Sequence, residues 1–207
     1  QYRNGEDIEN TQDPVEWSST NEGAYVAYEN DEAIAQVSGY LYNNYAVQDN
    51  REVCPVGWHV PTDEEWKELE LFLGMPATEL NNSGWRGEAQ GVGSALKAES
   101  SGGENSTGYA ALMGGYRSEG GEFYAIQQEG GWWVSDQVER QKLVVNNSGI
   151  LRDWAYTQTG LSIRCLRSIL GCTEQGACNF DPEANEDDGS CDFLSCAICN
   201  VESACNY

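Results

Sequence analysis

CPVGWHVPTDEEWKELELFLG, residues 54–74, is the stretch whose local structure reads most directly. Thr62 is a helix N-cap, and Glu65 three residues on completes a capping box in which each side chain reaches the other's backbone amide. Asp63, Glu64 and Glu65 place negative charge at the positive end of the helix dipole, so all three are read as a capped, solvated helix start. Trp66, Leu69, Phe72 and Leu73 recur at helical spacing and define the expected buried face. Gly74 is a natural stop, and Pro76 follows it.

Upstream, residues 1–50 alternate aromatic and polar positions. Tyr25, Tyr28, Tyr40, Tyr42 and Tyr45 suit short, half-buried strands between Asn, Asp and Gly turns, with a helical turn at 32–36. Downstream, residues 82–131 are rich in Gly and Ser and read as long loops crossing a small sheet, with a short helix near Gly93–Ala98. Long loops on a rigid scaffold commonly carry function. Strand-like runs follow at 122–127, 131–136, 142–147 and 161–167. Apolar periodicity ends at Ser168–Gly171, which sets a boundary between a domain at 1–168 and a Cys-rich segment at 171–207.

The chain has 207 residues, enough for one good-sized domain and a small appendage. Its 34 acids against 11 bases give a formal charge of −23, which argues against nucleic acid or an anionic membrane as a partner. No apolar run is long enough for a transmembrane helix. Gln1 does not read as a translation start, and a mature or partial chain is expected. Eight cysteines, six of them in the tail, point to an oxidising compartment and an extracellular or cell-surface location. Zinc is the competing use, but Cys196 and Cys199 form a single CxxC and the chain has one His.

The tail repeats itself. Cys172-TEQGA-Cys178-Asn-Phe returns 27 residues later as Cys199-NVESA-Cys205-Asn-Tyr, where the second copy stops. The segment is too polar to order by a hydrophobic core alone. Asp181, Asn185, Asp187, Asp188 and Asp192 are hard oxygen donors over twelve positions, a composition that suits Ca²⁺, although the spacing is not that of an EF-hand. The plainer reading is an Asp/Asn-rich turn held by Cys172–Cys191. Six tail cysteines allow fifteen connectivities. Asn81, Asn105 and Asn146 begin NxS/T sequons and are candidate glycosylation acceptors.

Residues 54–74, with YLYNNYAV (40–47), GYAALMGGYRSEGGEFY (108–124), GWWVSD (131–136) and GLSIRCLRS (160–168), resemble the Fibrobacter succinogenes major paralogous domain of secreted bacterial proteins. That family in turn is similar to C-type-lectin and formylglycine-generating-enzyme domains. The resemblance implies an α+β fold with a small antiparallel sheet and long loops, and a disulfide between Cys54 and Cys165. The tail resembles the GCTDPxAxNYxPxAxxDDGSC repeats of secreted Bacteroidota proteins, which serve as spacers and C-terminal modules. Family members usually begin with a further strand-forming segment, and none precedes Tyr2 here. A sheet edge open to a neighbouring copy's tail is therefore expected, and head-to-tail contacts of that kind build filaments.

Catalytic sets are lacking. His59 has no nucleophile near it in sequence and occupies a structural motif position. The lectin calcium motifs EPN, QPD and WND do not occur, nor does a P-loop or a dinucleotide fingerprint. Trp132 and Trp133 suggest a sugar platform, but adjacent strand residues face opposite ways, so core packing is the expectation for them. The function expected is a secreted, non-enzymatic structural or adhesive module that self-associates or contacts neighbouring modules. A glycan-binding accessory module is the alternative.

Overall fold

The computed structural model describes residues 1–195. The CAIC motif and the partial second repeat lie outside the described residues. The chain divides into two compact units: residues 1–55 with 60–165, and residues 56–59 with the segment from 166 onward.

The first half contains β1 (Glu9–Asn10), α1 (Pro14–Ser19), β2 (Ala24–Val26), α2 (Glu32–Ser38), β3 (Leu41–Tyr42), α3 (Asn44–Val47), β4 (Trp58–His59) and α4 (Asp63–Phe72). Then come β5 (Gly84–Arg86), α5 (Val92–Leu96), β6 (Gly114–Arg117), β7 (Phe123–Ile126), β8 (Glu129–Trp133), β9 (Glu139–Val144) and β10 (Ile150–Trp154). Strands β11 (Leu166–Arg167), β12 (Leu170–Gly171) and β13 (Glu186–Asp187) follow. The α+β unit is built on a six-stranded sheet in the order β5-β10-β9-β8-β6-β7, with a smaller sheet β1-β2-β3.

Helix α4 starts as its sequence dictates. Thr62 accepts from the Glu65 amide at 3.3 Å, and Glu65 accepts from the Thr62 amide at 2.9 Å. The chain leaves the helix through Gly74 at φ +91°, a conformation that favours glycine. The buried face differs from the expected one. Phe72 is 85% exposed, while Trp66 is buried and Leu69 and Leu73 pack against it. At about 100° per residue, Phe72 lies roughly 120° around the helix from Trp66, whereas Asp63 and Glu70 lie within about 60° of it. Both of these acids are sealed in, so Asp63 is not part of a solvated helix start.

Strand alternation gives the large sheet two distinct faces. Trp132 of β8 stands opposite Gln141 of β9, which stands opposite Arg152 of β10. This face meets Trp66, Met75, Val92 and Leu96 and carries the main core. Trp133 points the other way and packs with Ala155 and Leu161. Both tryptophans of the GWW run are buried, each in a separate core. Helix α5 is pressed so close to the 148–149 loop that a Cβ at Gly93 would stand 2.0 Å from the Gly149 carbonyl oxygen.

Two buried cations fix the loops. Lys97 Nζ donates to the carbonyls of Val144, Val145 and Asn147 at 2.8–3.0 Å. Arg117 donates to those of Thr11, Gln12 and Gly121 at 2.6–2.9 Å, with its guanidinium over the Trp17 and Phe123 rings. Such groups are tolerated inside because every polar arm finds a partner. The 161–167 run is not one strand: Leu161 bridges Tyr42, Ser162 bridges Trp132, and only Leu166–Arg167 forms β11. Strand β6 arises in the stretch read as long loops, and β10 between the expected strand runs at 142–147 and 161–167. Cys54 and Cys165 form a disulfide that closes a loop of 111 residues.

In the second unit β4 pairs antiparallel with β11, and β12 pairs parallel with β13. Cys172 is bonded to Cys191, and Cys178 is disulfide-bonded as well. Polar side chains take the place of a core. Asn185 accepts from the Ile169 amide at 2.6 Å and donates to the Arg167 carbonyl at 3.0 Å. Asn179 accepts from the Asp192 amide at 2.7 Å and donates to the Ser190 carbonyl at 2.8 Å.

Candidate functional site

Beneath α4 the two buried acids meet two buried bases. Glu70 binds Arg86 through both oxygens, at 2.6 and 2.8 Å, and Arg86 also donates to Gln141 Oε1 at 2.9 Å and to the Leu80 carbonyl at 2.8 Å. Burial pushes the Glu70 carboxyl up to about 7, against the downward pull of Arg86. The same burial lowers Arg86 from its ordinary value. Asp63 takes Arg152 Nη2 and Lys67 Nζ, each at 2.7 Å. Burial also brings Arg117 down to about 10.

The Arg152 side chain links this interior to the surface. Its Nε donates to Glu139 Oε2 at 2.7 Å while Nη2 holds Asp63. Glu139 is the register partner of Trp154, the last residue of β10. Trp154 is 62% exposed and Tyr156 52%, and their rings meet edge to face with centroids 4.8 Å apart. Arg152, Trp154 and Tyr156 alternate onto one side of the strand direction, so the rings and the Glu139 carboxylate share a corner at the end of β9 and β10. Sequence reasoning weighed Trp132 and Trp133 as an aromatic platform, expected core packing for them, and passed over WAY at 154–156. Its alternation is short, and the strand before it falls between the expected runs at 142–147 and 161–167.

A second feature of the same unit is an open cleft of about 790 Å³ beside α2. Ile34, Val37, Leu112, Met113, Ile126 and Val145 form its apolar wall, and among the described residues no charged one lines it. Ala125 and Gln127, on either side of Ile126, both have φ of +60°.

The tail donors do not gather into one shell. Asp181 accepts from the Glu183 amide, Asp187 from that of Gly189, Asp188 from that of Ser190, and Asp192 from those of Leu194 and Ser195, all at 2.8–3.0 Å. Each carboxylate shapes its own turn, Asn185 ties backbone strands, and among the described residues no group of three or more His, Cys, Asp or Glu side chains is placed to hold a metal ion. His59 Nδ1 lies 2.8 Å from Ser168 Oγ. Of the sequons, Asn81 and Asn146 are exposed, while Asn105 is half-buried and its side chain accepts from the Ala110 amide at 2.8 Å.

Among the described residues, no helix is long and apolar enough to cross a membrane. No curated protein and no solved structure matches the chain. The family model of the Fibrobacter succinogenes major domain matches residues 1–167, which takes in the capped helix, the six-stranded sheet, both cysteines of the long-range disulfide and the aromatic corner. The chain therefore belongs to the Fibrobacter succinogenes major domain family and carries a disulfide-bonded tail beyond the matched span.

Proposed function

We propose that this chain is a secreted, non-enzymatic structural or adhesive module of a cell surface. In this reading its larger unit is of the C-type-lectin and formylglycine-generating-enzyme kind, with a capped helix on a mixed sheet, antiparallel except where β6 runs parallel to β8, and long loops pinned from beneath. The Cys-rich unit serves as a stapled connector to neighbouring modules or copies. The observation that carries this reading is the Cys54–Cys165 bond, supported by a second disulfide at Cys172–Cys191. Structural disulfides persist in oxidising surroundings, and they stiffen a small unit that has little apolar core. Strands β5 and β7 are the sheet's edges, and an edge strand is a template for pairing with another chain.

The test has two parts. Cell fractionation followed by thiol labelling is expected to find the protein outside the cytoplasm with its cysteines blocked. Light scattering over a concentration series is expected to show self-association. A reduced, cytoplasmic protein that stays monomeric throughout overturns the reading. A glycan-binding accessory module is the second reading, favoured by the exposed Trp154–Tyr156 pair.

A further inference from the structure

We propose that Trp154, Tyr156 and Glu139 form a shallow binding corner for a neutral pyranose sugar. The proposal rests on the second reading above and specifies its site and ligand class.

Exposure is the first argument. Large aromatic side chains are normally turned inward, as Trp17, Trp66, Trp132 and Trp133 are here. Two adjoining rings left 62% and 52% open are an apolar surface awaiting a partner. Among the described residues neither the Trp154 indole N–H nor the Tyr156 hydroxyl is hydrogen-bonded within the protein, so both polar tips are available at the rim.

Rigidity is the second. Strand β10 is paired with β5 over Ile150–Arg152 and with β9 over Leu151–Trp154, so β9 holds the backbone that carries Trp154. The interplanar angle of 77° makes a corner rather than a flat patch. One ring can take the C–H face of a sugar while the other bounds its edge. A site whose parts are already in place loses little entropy on binding.

The carboxylate is the third. Glu139 sits across the register from Trp154, and Arg152 holds one of its oxygens. Arg152 is fixed in turn by Asp63 and by the Leu80 carbonyl. The second oxygen of Glu139 has no donor among the described residues and is free to accept from a ligand hydroxyl. A hydrogen bond to a charged acceptor is stronger than a neutral one. An aromatic face beside an oriented carboxylate matches a pyranose, which has an apolar face and a rim of hydroxyls.

Charge decides which sugar. The chain carries a formal −23, and Glu139 adds negative charge at the site itself. Uronic acids and sulfated sugars would be repelled.

The experiment titrates the intact, oxidised chain with neutral hexasaccharides of glucose, mannose and N-acetylglucosamine, with hexagalacturonate as the anionic control. Binding is read by tryptophan fluorescence and by calorimetry. At least one neutral hexasaccharide is expected to bind, and hexagalacturonate is not. Trp154→Ala and Glu139→Gln are each expected to weaken binding roughly tenfold, about 1.4 kcal/mol, and Tyr156→Ala to weaken it severalfold. Trp154 and Tyr156 are exposed, so their variants should melt like the parent. Glu139→Gln keeps an acceptor for Arg152, and Trp154→Gln is a further surface variant. The proposal is overturned if no neutral hexasaccharide binds at millimolar concentration, if both aromatic variants bind like the parent, or if the anionic sugar binds equally well. Binding abolished elsewhere, with this corner intact, would retain the glycan reading and discard the site. Light scattering of the same samples reports separately on self-association.

Discussion

Glu70 and Arg86 face each other through two hydrogen bonds, 2.6 and 2.8 Å, with both side chains sealed from solvent. Removing one partner strands the other charge inside the protein. Glu70→Leu or Arg86→Met alone is therefore expected to cost about 3–5 kcal/mol, while the double variant should recover most of that loss. Chemical denaturation of the three variants and the parent checks it. Additive single effects would show that the pair is not coupled.

The pH dependence follows from the same pair. Burial raises the Glu70 carboxyl from 4.5 to about 7, so the folded protein holds this proton more tightly than the unfolded chain. The stabilisation tied to that proton is complete below pH 4.5 and fades as pH climbs through about 7. Glu70→Gln should flatten the stability profile across this window. Urea midpoints at half-unit pH steps test it, and a slope unchanged from the parent would assign the titration to another group.

The Cys54–Cys165 bond closes a loop of 111 residues. Loop-closure entropy at that length is worth about 4–5 kcal/mol. The Cys54→Ala/Cys165→Ala variant is expected to unfold at markedly lower denaturant, with the change confined to the unit of residues 1–55 and 60–165. Scanning calorimetry of the parent with and without reductant gives an independent check.

Arg117 joins the loop at Thr11–Gln12 to the turn at Gly121. Arg117→Met removes three charged donors and is expected to cost roughly 3 kcal/mol or more. Arg117→Lys should recover only part, because an ammonium lacks the planar fork. Amide exchange at Thr11 and Gly121 should quicken first. Uniform acceleration over the whole unit would point to global loosening instead.

How much of this was legible in the sequence depended on whether the determinants were local. The capping box at Thr62 and Glu65 uses residues three apart, and it formed as read. The buried acids were not legible. Asp63 looks like any acid at a helix start, and its buried ion pair with Arg152, 89 residues away, is not visible from its local sequence. Phe72 was assigned inward from its helical spacing with Trp66, Leu69 and Leu73, although its angle around the helix places it in water. Strand β10 was missed because ILRDW carries two charges. Arg152 finds Asp63 and Glu139, and Asp153 finds Arg140, so a polar sequence forms a central strand. The aromatic corner was missed with it.

Four of the eleven basic residues, Arg86, Lys97, Arg117 and Arg152, are buried, against only two buried acids among the described residues. The surface that meets solvent is thus more negative than the formal charge suggests. In solution it gathers an atmosphere of small cations reaching about 8 Å at physiological ionic strength. Whatever docks on it must first displace or share that layer. Contact between copies should strengthen as salt is added, the reverse of what attraction between opposite charges would give.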